Sequence, residues 1–192
     1  MAEAPAHLAA AVLAAGGSTR FDGGPKQLTP FRGRPLVSLA VEAALGAGVF
    51  EMVFVVGGAV DLSATIPPEA LLLENPDWAA GQATSLAVAV QAAEVGGFDA
   101  LVVGLADQPF VGPDDWRAVA VAETPAPIVA ASYEGRRGNP VRLAREVWPD
   151  LPTTGDEGAR RLMAARPDLV AEVACPGDAV DIDTREDLDR WS

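Results

Sequence analysis

A short segment near the start of the chain combines small residues with two separated cations. The stretch LAAGGSTRFDGGPK extends from Leu13 to Lys26 and follows an apolar run that predicts a buried strand. Small residues let a backbone approach a phosphate chain closely, successive N–H groups donate to its oxygens, and Arg20 and Lys26 neutralise its charge. The spacing matches neither a Walker loop nor G-x-G-x-x-G. We therefore predict a phosphate-binding loop of another kind, with a solvated turn as the alternative.

Lys26 strengthens this prediction because it is the only lysine in the chain. Of the 14 basic residues, 13 are arginine, so arginine serves wherever a generic positive charge is sufficient. Lysine is a compact point charge on a flexible stem, which suits it to reach a phosphate without bidentate geometry. We predict that Lys26 contacts phosphate.

Two aspartates are candidate metal ligands. Asp107 directly follows the apolar run in LVVGLADQP, where a carboxylate suits Mg²⁺, which takes one or two protein carboxylates and completes its shell with water and phosphate oxygens. A turn at the strand end is the alternative. Asp183, in VDIDTREDL, is a candidate second ligand. Taken alone, that segment favours a helix start capped by Thr184, with Glu186 and Asp187 complementing the helix dipole.

A third segment, NPDWAAGQATSL, begins with a turn at Asn75 and continues into a predicted helix. Gly81 and the Ser85 hydroxyl could read a nucleobase edge, since a hydroxyl both donates and accepts hydrogen bonds. Ordinary capping by Thr84 or Ser85 is the simpler interpretation of this segment alone. Trp78 covers either a pocket or the core.

Composition limits the function classes. The 192 residues are 49% hydrophobic with mean hydropathy +0.19, which predicts one compact domain over residues 1–192. We expect no membrane span, because no apolar run approaches about 20 residues. A formal charge of -13 opposes a nucleic-acid partner but permits a small anion where cations gather locally. The absence of a signal pattern and the single cysteine, Cys175, indicate a cytoplasmic protein.

The same counts exclude several chemistries. With one histidine, His7, the chain has no histidine-paired zinc site of the usual kind and no Ser-His or Cys-His dyad. Cys175 is more simply a small core residue than a reactive thiol. Carboxylates, arginine, lysine, backbone amides and a metal ion are left to carry the chemistry.

Short apolar runs alternate with helical patterns along most of the chain. Predicted strands cover 8–14, 53–56, 70–73, 100–105 and 128–131, and predicted helices start at Pro35, cover 82–94, and start at Pro113 and about Thr184. This βαβ rhythm predicts an α/β protein with a mainly parallel sheet and helices on both faces, whose ligands bind beyond the carboxyl ends of the strands. After Tyr133, glycine and proline predict a loop or hairpin over the cleft before two short helices.

The ordered motifs resemble a known family. LAAGGSTR with PKQL, NPDWAAGQATSL, GLADQP, GRRGNPV, GDEGARRL and DIDTREDL occur in the order seen in molybdenum cofactor cytidylyltransferases, from Leu13 to Leu188. The resemblance implies a three-layer αβα Rossmann-like nucleotidyltransferase fold. It also implies that CTP and Mg²⁺ (or Mn²⁺) are used to cytidylylate molybdopterin with release of pyrophosphate. A molybdoenzyme or its chaperone is the implied protein partner.

The resemblance also implies roles for individual positions. Arg20, Lys26 and Asp107 would be catalytic, Asp107 and Asp183 would hold the metal, and the segment 155–160 would face the acceptor. The implied nucleotide-binding residues are Leu13, Ala14, Ala15, Gly16, Gly17, Ser18, Arg20, Lys26, Gly81, Ser85 and Asp107, and the implied acceptor-side residues are Asn139 and Asp156.

Other functions stay open at this point. The same half-site could transfer a nucleotide to another acceptor, by guanylyl transfer to molybdopterin or by transfer to a sugar phosphate, an erythritol phosphate or phospholactate. A nucleotide-binding regulator or cofactor chaperone that binds a triphosphate without cleaving it is a candidate from another class.

Overall fold

The computed structural model describes residues 7–17, 21 and 24–191. The strands are β1 (Leu8–Leu13), β2 (Pro30–Phe31), β3 (Arg34–Pro35), β4 (Met52–Gly57), β5 (Ala70–Glu74), β6 (Ala100–Leu105), β7 (Ile128–Tyr133), β8 (Arg136–Ala144) and β9 (Val170–Ala174). The α-helices are α1 (Leu36–Gly46), α2 (Gln82–Val95), α3 (Pro113–Ala120), α4 (Arg160–Ala165) and α5 (Arg185–Trp191). Short 3-10 helices cover Lys26–Leu28, Trp78–Ala80, Arg145–Asp150 and Pro167–Leu169.

A seven-stranded sheet forms the centre of the protein, in the order β5-β4-β1-β6-β8-β7-β9. Strand β8 is antiparallel to both of its neighbours, whereas the other pairs in this sheet are parallel. Strands β2 and β3 form a separate small hairpin before α1. The prediction of a mainly parallel sheet is confirmed.

The central strands are continuously apolar because both of their faces are covered. All six residues of β1 are buried. Ala10 and Val12 point to the face that packs against α1 and α3, whereas Ala9 and Ala11 point to the face that carries α2 and α4. Alternation of side chains along a strand thus supplies two cores, and the predicted three-layer arrangement is confirmed.

The region after Tyr133 corrects two expectations. The predicted hairpin exists, but β8 pairs with β6 as well as β7, so it lies in the central sheet and not over the cleft. Where two short helices were expected next, the structure has α4 with a 3-10 helix on each side, at Arg145–Asp150 and at Pro167–Leu169. Strand β9 was not predicted. Among the described strands it pairs only with β7, and its half-exposed sequence VAEVA lacks the continuous apolar pattern of a central strand.

No helix among the described residues is long and apolar enough to cross a membrane.

The single cysteine gives a test of the packing around β9. Burial and the charge of Asp115 raise the pKa of the Cys175 thiol from 9.0 to about 11. We expect the folded protein to react with a disulfide reagent at pH 8 about 100-fold more slowly than the protein in guanidinium chloride, since the thiolate is the nucleophile and its fraction falls tenfold per pKa unit. Because the folded state holds the proton more tightly, the associated stability is full below pH 9 and is lost as pH rises towards 11. Equal labelling rates in both states would contradict this placement.

Candidate functional site

A cavity of about 460 Å³ opens beyond the carboxyl ends of β1 and β6, where the parallel topology predicts ligand binding. It lies between the glycine-rich loop after β1, the start of α2 and the turn after β6. The lining residues are Leu13, Ala14, Ala15, Gly16, Gly17, Phe21, Lys26, Gln27, Trp78, Ala79, Gly81, Gln82, Ser85, Leu105, Ala106, Asp107, Asp156 and Asp183.

A buried side chain, Gln27, contacts the described start of the glycine-rich loop, residues 14–17. Its Nε2 amide donates to the carbonyl of Ala14 at 3.0 Å and to the carbonyl of Gly16. Within the described residues, the N–H groups of Ala15, Gly16 and Gly17 donate to no protein acceptor. Gln27 therefore binds the carbonyls of the loop and leaves three successive N–H groups for a ligand, which suits phosphate oxygens.

Lys26 bridges the two predicted metal carboxylates. Its Nζ atom lies 2.7 Å from Asp107 Oδ2 and 2.8 Å from Asp183 Oδ1, although Lys26 and Asp183 are 157 positions apart in the sequence. Burial acts to lower the pKa of Lys26, but the charges and hydrogen bonds of both aspartates outweigh it and raise that pKa above its usual value. The ammonium group is therefore charged, and Lys26 lines the cavity.

Backbone contacts explain why Asp183 reaches this position. The Ile182 N–H donates to the Asp107 carbonyl at 2.9 Å, which fixes the segment before α5 against the end of β6. Thr184 and Asp187 form the predicted cap, since the Thr184 hydroxyl accepts from Asp187 N–H at 3.1 Å and the Asp187 carboxylate accepts from Thr184 N–H at 2.9 Å. Asp183 can therefore face the cavity while α5 is capped, because the side chains of Thr184 and Asp187 form the cap and that of Asp183 does not.

The donor set fits a small divalent cation. Asp107 Oδ1 is buried and has no hydrogen-bond partner among the described residues, and the Asp183 side chain is half-exposed. No group of three or more acidic, histidine or cysteine side chains suited to a metal occurs among the described residues. Two carboxylate oxygens beside an open cavity suit Mg²⁺ or Mn²⁺ bound together with phosphate, and they do not suit an ion that requires a full protein cage.

A second set of polar groups lies at the start of α2, where Ser85 lines the cavity and Asn75 and Thr84 lie behind it. The buried amide of Asn75 donates to Thr84 Oγ1 at 2.8 Å and to Ser85 Oγ at 2.9 Å. The N-cap residue of α2 is Gly81, and no side chain caps this helix. The expectation that Thr84 or Ser85 caps the helix is therefore wrong. Instead, Thr84 Oγ1 lies 2.8 Å from the Gly81 carbonyl and donates to it.

Gly81 allows a close approach between the start of α2 and the loop before α4. Its φ is +107°, and a Cβ there would lie 2.5 Å from the Gly155 carbonyl carbon and 2.7 Å from Asp156 Oδ1. The Gly155 N–H donates to the Ala80 carbonyl, and the Ala83 N–H donates to the Gly155 carbonyl. Asp156 therefore lines the cavity on the side of Gly81 and Ser85.

We expect Gly81→Ala to displace this loop and weaken nucleotide binding about tenfold or more. Gly97→Ala is the matched control, because Gly97 also has a positive φ, +74°, but a Cβ there meets nothing within 4 Å. Both changes place a Cβ at a positive φ, which costs about 1–3 kcal/mol, and the cost is greater at Gly81, whose ψ of 170° lies in a region that only glycine readily adopts. Only Gly81→Ala adds the collision. Thermal denaturation and calorimetric titration with triphosphate would compare them. Equal losses in the two variants would contradict the close approach.

Comparison with known proteins decides the family. The MobA-like NTP transferase domain matches residues 10–170 of the chain. The chain belongs to this family. Its members are nucleotidyltransferases, so the chain is a transferase.

Curated relatives of this transferase extend over nearly the whole chain. Nicotine blue oxidoreductase of Paenarthrobacter nicotinovorans is 33% identical and covers 93% of both chains. Purine catabolism protein PucB of Bacillus subtilis is 31% identical and covers 95% of both chains. The family and these relatives bear out the resemblance to the molybdenum cofactor nucleotidyltransferases.

Solved structures give the same fold. A mycobacterial homologue of Rv0371c, from Mycobacterium sp. strain JC1, superposes with a TM-score of 0.81 at 26% identity, covering 95% of this chain and 93% of the other. Rv0371c of Mycobacterium tuberculosis, in a structure described as a complex with manganese, superposes with a TM-score of 0.78 at 27% identity, covering 96% and 97%. The transferase therefore has the Rossmann-like fold of nucleotidyltransferases, and a related protein binds a divalent metal.

Most of the residues named from the sequence of the transferase lie together. The cavity is lined by all the predicted nucleotide residues of the described chain, by Asp183 and by Asp156. Ser18 and Arg20 fall outside the described residues, so their predicted roles stay predictions. Asn139 does not line the cavity; it lies on β8, where its carbonyl accepts from the Tyr133 hydroxyl at 2.7 Å. Its acceptor-side role also stays a prediction.

Among the residues not predicted from the sequence, Gln27 and Asn75 matter most, because their side chains bind the backbone and the hydroxyls of the site. Gln27 belongs to the PKQL motif, and its place next to Lys26 in a loop of small residues was the available signal. Asn75 was considered only as a turn former, although an amide followed by two hydroxyls nine and ten positions later is a potential hydrogen-bonding group. Trp78 is half-buried and lines this cavity and a smaller neighbouring one, so it forms the wall between them.

Proposed function

We propose that this transferase moves CMP from CTP to molybdopterin with release of pyrophosphate, in a single nucleotidyltransferase domain over residues 1–192. The observation that carries the proposal is that Lys26 contacts both Asp107 and Asp183, and that all three residues line the cavity beyond β1 and β6. One cation for phosphate and two carboxylates for a divalent metal are the groups that phosphoryl transfer needs, since such catalysis is mostly positioning and electrostatic stabilisation.

The residues divide the work by position. The N–H groups of Ala15, Gly16 and Gly17, which donate to no acceptor among the described residues, hold the triphosphate. Lys26 moves away from the two carboxylates and neutralises charge on the pyrophosphate as it departs. Asp107 and Asp183 would hold Mg²⁺. When bound, this ion supplies charge neutralisation between the reacting phosphates.

The covalent step needs no protein nucleophile. An oxygen of the acceptor phosphate attacks the α-phosphorus of CTP, a new P–O bond forms, and the bond between the α-phosphorus and the bridging oxygen to the β-phosphate breaks. The electron pair of that bond departs with pyrophosphate. A single histidine, His7, at the opposite end of β1 is therefore no obstacle to the reaction.

CTP and molybdopterin are supported by the ordered motifs. The double alanine of LAAG resembles cytidylyl enzymes more than the guanylyl relatives, and the order of GRRGNPV, GDEGARRL and DIDTREDL resembles the molybdopterin enzymes. A molybdoenzyme or its chaperone would receive the product. The single cysteine suits a reducing compartment, so we place the reaction in the cytoplasm.

A second candidate comes from the name of one relative. Nicotine blue oxidoreductase shares 33% identity over 93% of both chains, which makes oxidoreduction a rival activity. The carboxylate pair and the lysine favour nucleotidyl transfer, because hydride transfer to an organic acceptor does not require a metal site beside a phosphate loop.

The deciding experiment measures pyrophosphate release from each of the four ribonucleoside triphosphates with MgCl₂ or MnCl₂. Molybdopterin is tested against a sugar phosphate, erythritol phosphate and phospholactate as acceptor. We expect metal-dependent release that needs molybdopterin and is fastest with CTP. Release with another acceptor would reassign the substrate. Triphosphate binding without release would favour a regulator or chaperone, and NAD(P)H oxidation by a dye without release would favour the oxidoreductase.

A further inference from the structure

The buried side chain of Asn75 joins the end of β5 to the first turn of α2. It is 2% exposed, and its Nδ2 atom donates to both Thr84 Oγ1 and Ser85 Oγ. Its Oδ1 atom accepts from the Asp77 N–H at 3.0 Å. A backbone N–H can only donate, so this contact identifies the oxygen and the nitrogen of the amide. The two hydroxyls must therefore act as acceptors towards Asn75.

This direction has a consequence for each hydroxyl proton. Thr84 donates its proton to the Gly81 carbonyl at 2.8 Å within the turn. Ser85 is 4% exposed and lines the cavity, and its hydroxyl donates to no acceptor in the part of the chain that the structure describes. The Ser85 proton is thus available to a ligand, while Asn75 occupies a lone pair of the same oxygen.

We propose that Asn75 fixes the Ser85 hydroxyl as a hydrogen-bond donor, and that this pair selects a nucleobase presenting an acceptor atom at that point. The inference deepens the proposed function and rests on it, because it takes the cytosine of CTP to lie beside Gly81 and Ser85, as the family resemblance implies. Cytosine presents O2 and N3 as acceptors. A base edge that presents only N–H groups there meets a donor, and a buried polar site rejects such a mismatch strongly.

The substitution Asn75→Asp reverses the direction of the hydrogen bond. A carboxylate can only accept, so the Ser85 proton turns towards it and the cavity side receives a lone pair. We expect the dissociation constant for CTP to rise about tenfold, the size of one lost hydrogen bond and an unfavourable contact. We expect Ser85→Ala to raise the dissociation constant for CTP by about the same factor, because it removes the hydroxyl donor.

The double variant Asn75→Asp with Ser85→Ala distinguishes an effect through the Ser85 hydroxyl from a general disturbance of the structure. If Asn75 acts through Ser85, the double variant binds CTP no more weakly than Ser85→Ala alone. An equal tenfold loss from Asn75→Asp in both backgrounds would overturn the inference, since the effect would then arise from the new charge or from displaced backbone. Calorimetric titration gives the constants, and circular dichroism melting checks that each variant is folded.

A ligand series provides a measurement that does not depend on Asn75→Asp folding. The wild-type protein and Ser85→Ala are titrated with CTP and with its 2-thio and 3-deaza analogues, which weaken or remove one acceptor each. We expect at least one analogue to bind the wild type about tenfold more weakly than CTP, with no such difference in Ser85→Ala. Equal discrimination in both proteins would overturn the inference and leave the proposed function standing. Absence of any triphosphate binding would overturn both.

Discussion

Replacing Lys26 with methionine is expected to lower pyrophosphate release about 1000-fold while leaving the fold intact. Lys26 is the cation that contacts both Asp107 and Asp183, and a positioned cation that neutralises developing phosphate charge is worth about 10³-fold or more in rate. Methionine keeps the length and apolar volume of the stem, so the change isolates the ammonium group. The measurement is steady-state pyrophosphate release, with circular dichroism melting as the check on folding.

Arg34→Met is the matched control for Lys26→Met. Arg34 is a half-exposed cation that pairs with Glu42 on the surface, and such pairs contribute little. We expect it to retain wild-type turnover. In addition, Lys26→Met should bind Mn²⁺ without nucleotide at least as tightly as the wild type, because the ammonium group no longer competes for the two carboxylates. Unchanged turnover in Lys26→Met would remove Lys26 from the mechanism.

Asp107→Asn is expected to have an effect of similar size for a different reason. The amide keeps the shape of the side chain but removes the charge and one of the two predicted metal contacts. Metal stabilisation of transferring phosphate is worth several kcal/mol, and each ~1.4 kcal/mol is tenfold in rate, so turnover should fall about 10³-fold. Electron paramagnetic resonance should show weaker Mn²⁺ binding in this variant, in contrast to Lys26→Met.

Asp181→Asn is the control for Asp107→Asn. Asp181 lies two positions before Asp183, but its carboxylate accepts from Gln108 Nε2 at 2.8 Å and does not line the cavity. Burial and the charge of Asp107 raise the pKa of Asp181, so the neutral amide suits its surroundings. We expect wild-type Mn²⁺ binding and most of the turnover. Equal Mn²⁺ affinity in Asp107→Asn and the wild type would show that the metal binds elsewhere.

The sequence predicts the central strands well because their burial is symmetric. Strand β6 has the predicted bounds, 100–105, since a strand covered on both faces is apolar throughout and ends where polar residues begin. Strand β9 has the opposite character. At the sheet edge its residues are exposed or half-buried, and Glu172 pairs with Arg137 on the surface, so no hydrophobic pattern marks it.

The candidate site is predictable only in part, because local patterns in the sequence do not specify contacts between distant segments. Local spacing indicates that Lys26 and Asp107 follow buried strands, and parallel topology then brings strand ends together. Spacing does not indicate that Asp183 lies 2.8 Å from Lys26, because the path of the chain between β7 and α5 has no regular pattern to follow. The sequence and the resemblance both named Asp183 as a candidate second metal ligand, but neither predicted its contact with Lys26. Gln27 and Asn75 act through side-chain hydrogen bonds whose partners are set by tertiary structure.

The separation of 157 positions between Lys26 and Asp183 also bears on how the protein matures. Contacts between distant parts of a chain form late, because the entropy of closing a long loop must be overcome before they contribute. The acidic pair is completed only when the last strand and helix have docked on the sheet. If Asp183 holds the metal as proposed, we expect that a nascent or partly folded chain does not release pyrophosphate, so that turnover would report the docking of the segment before α5.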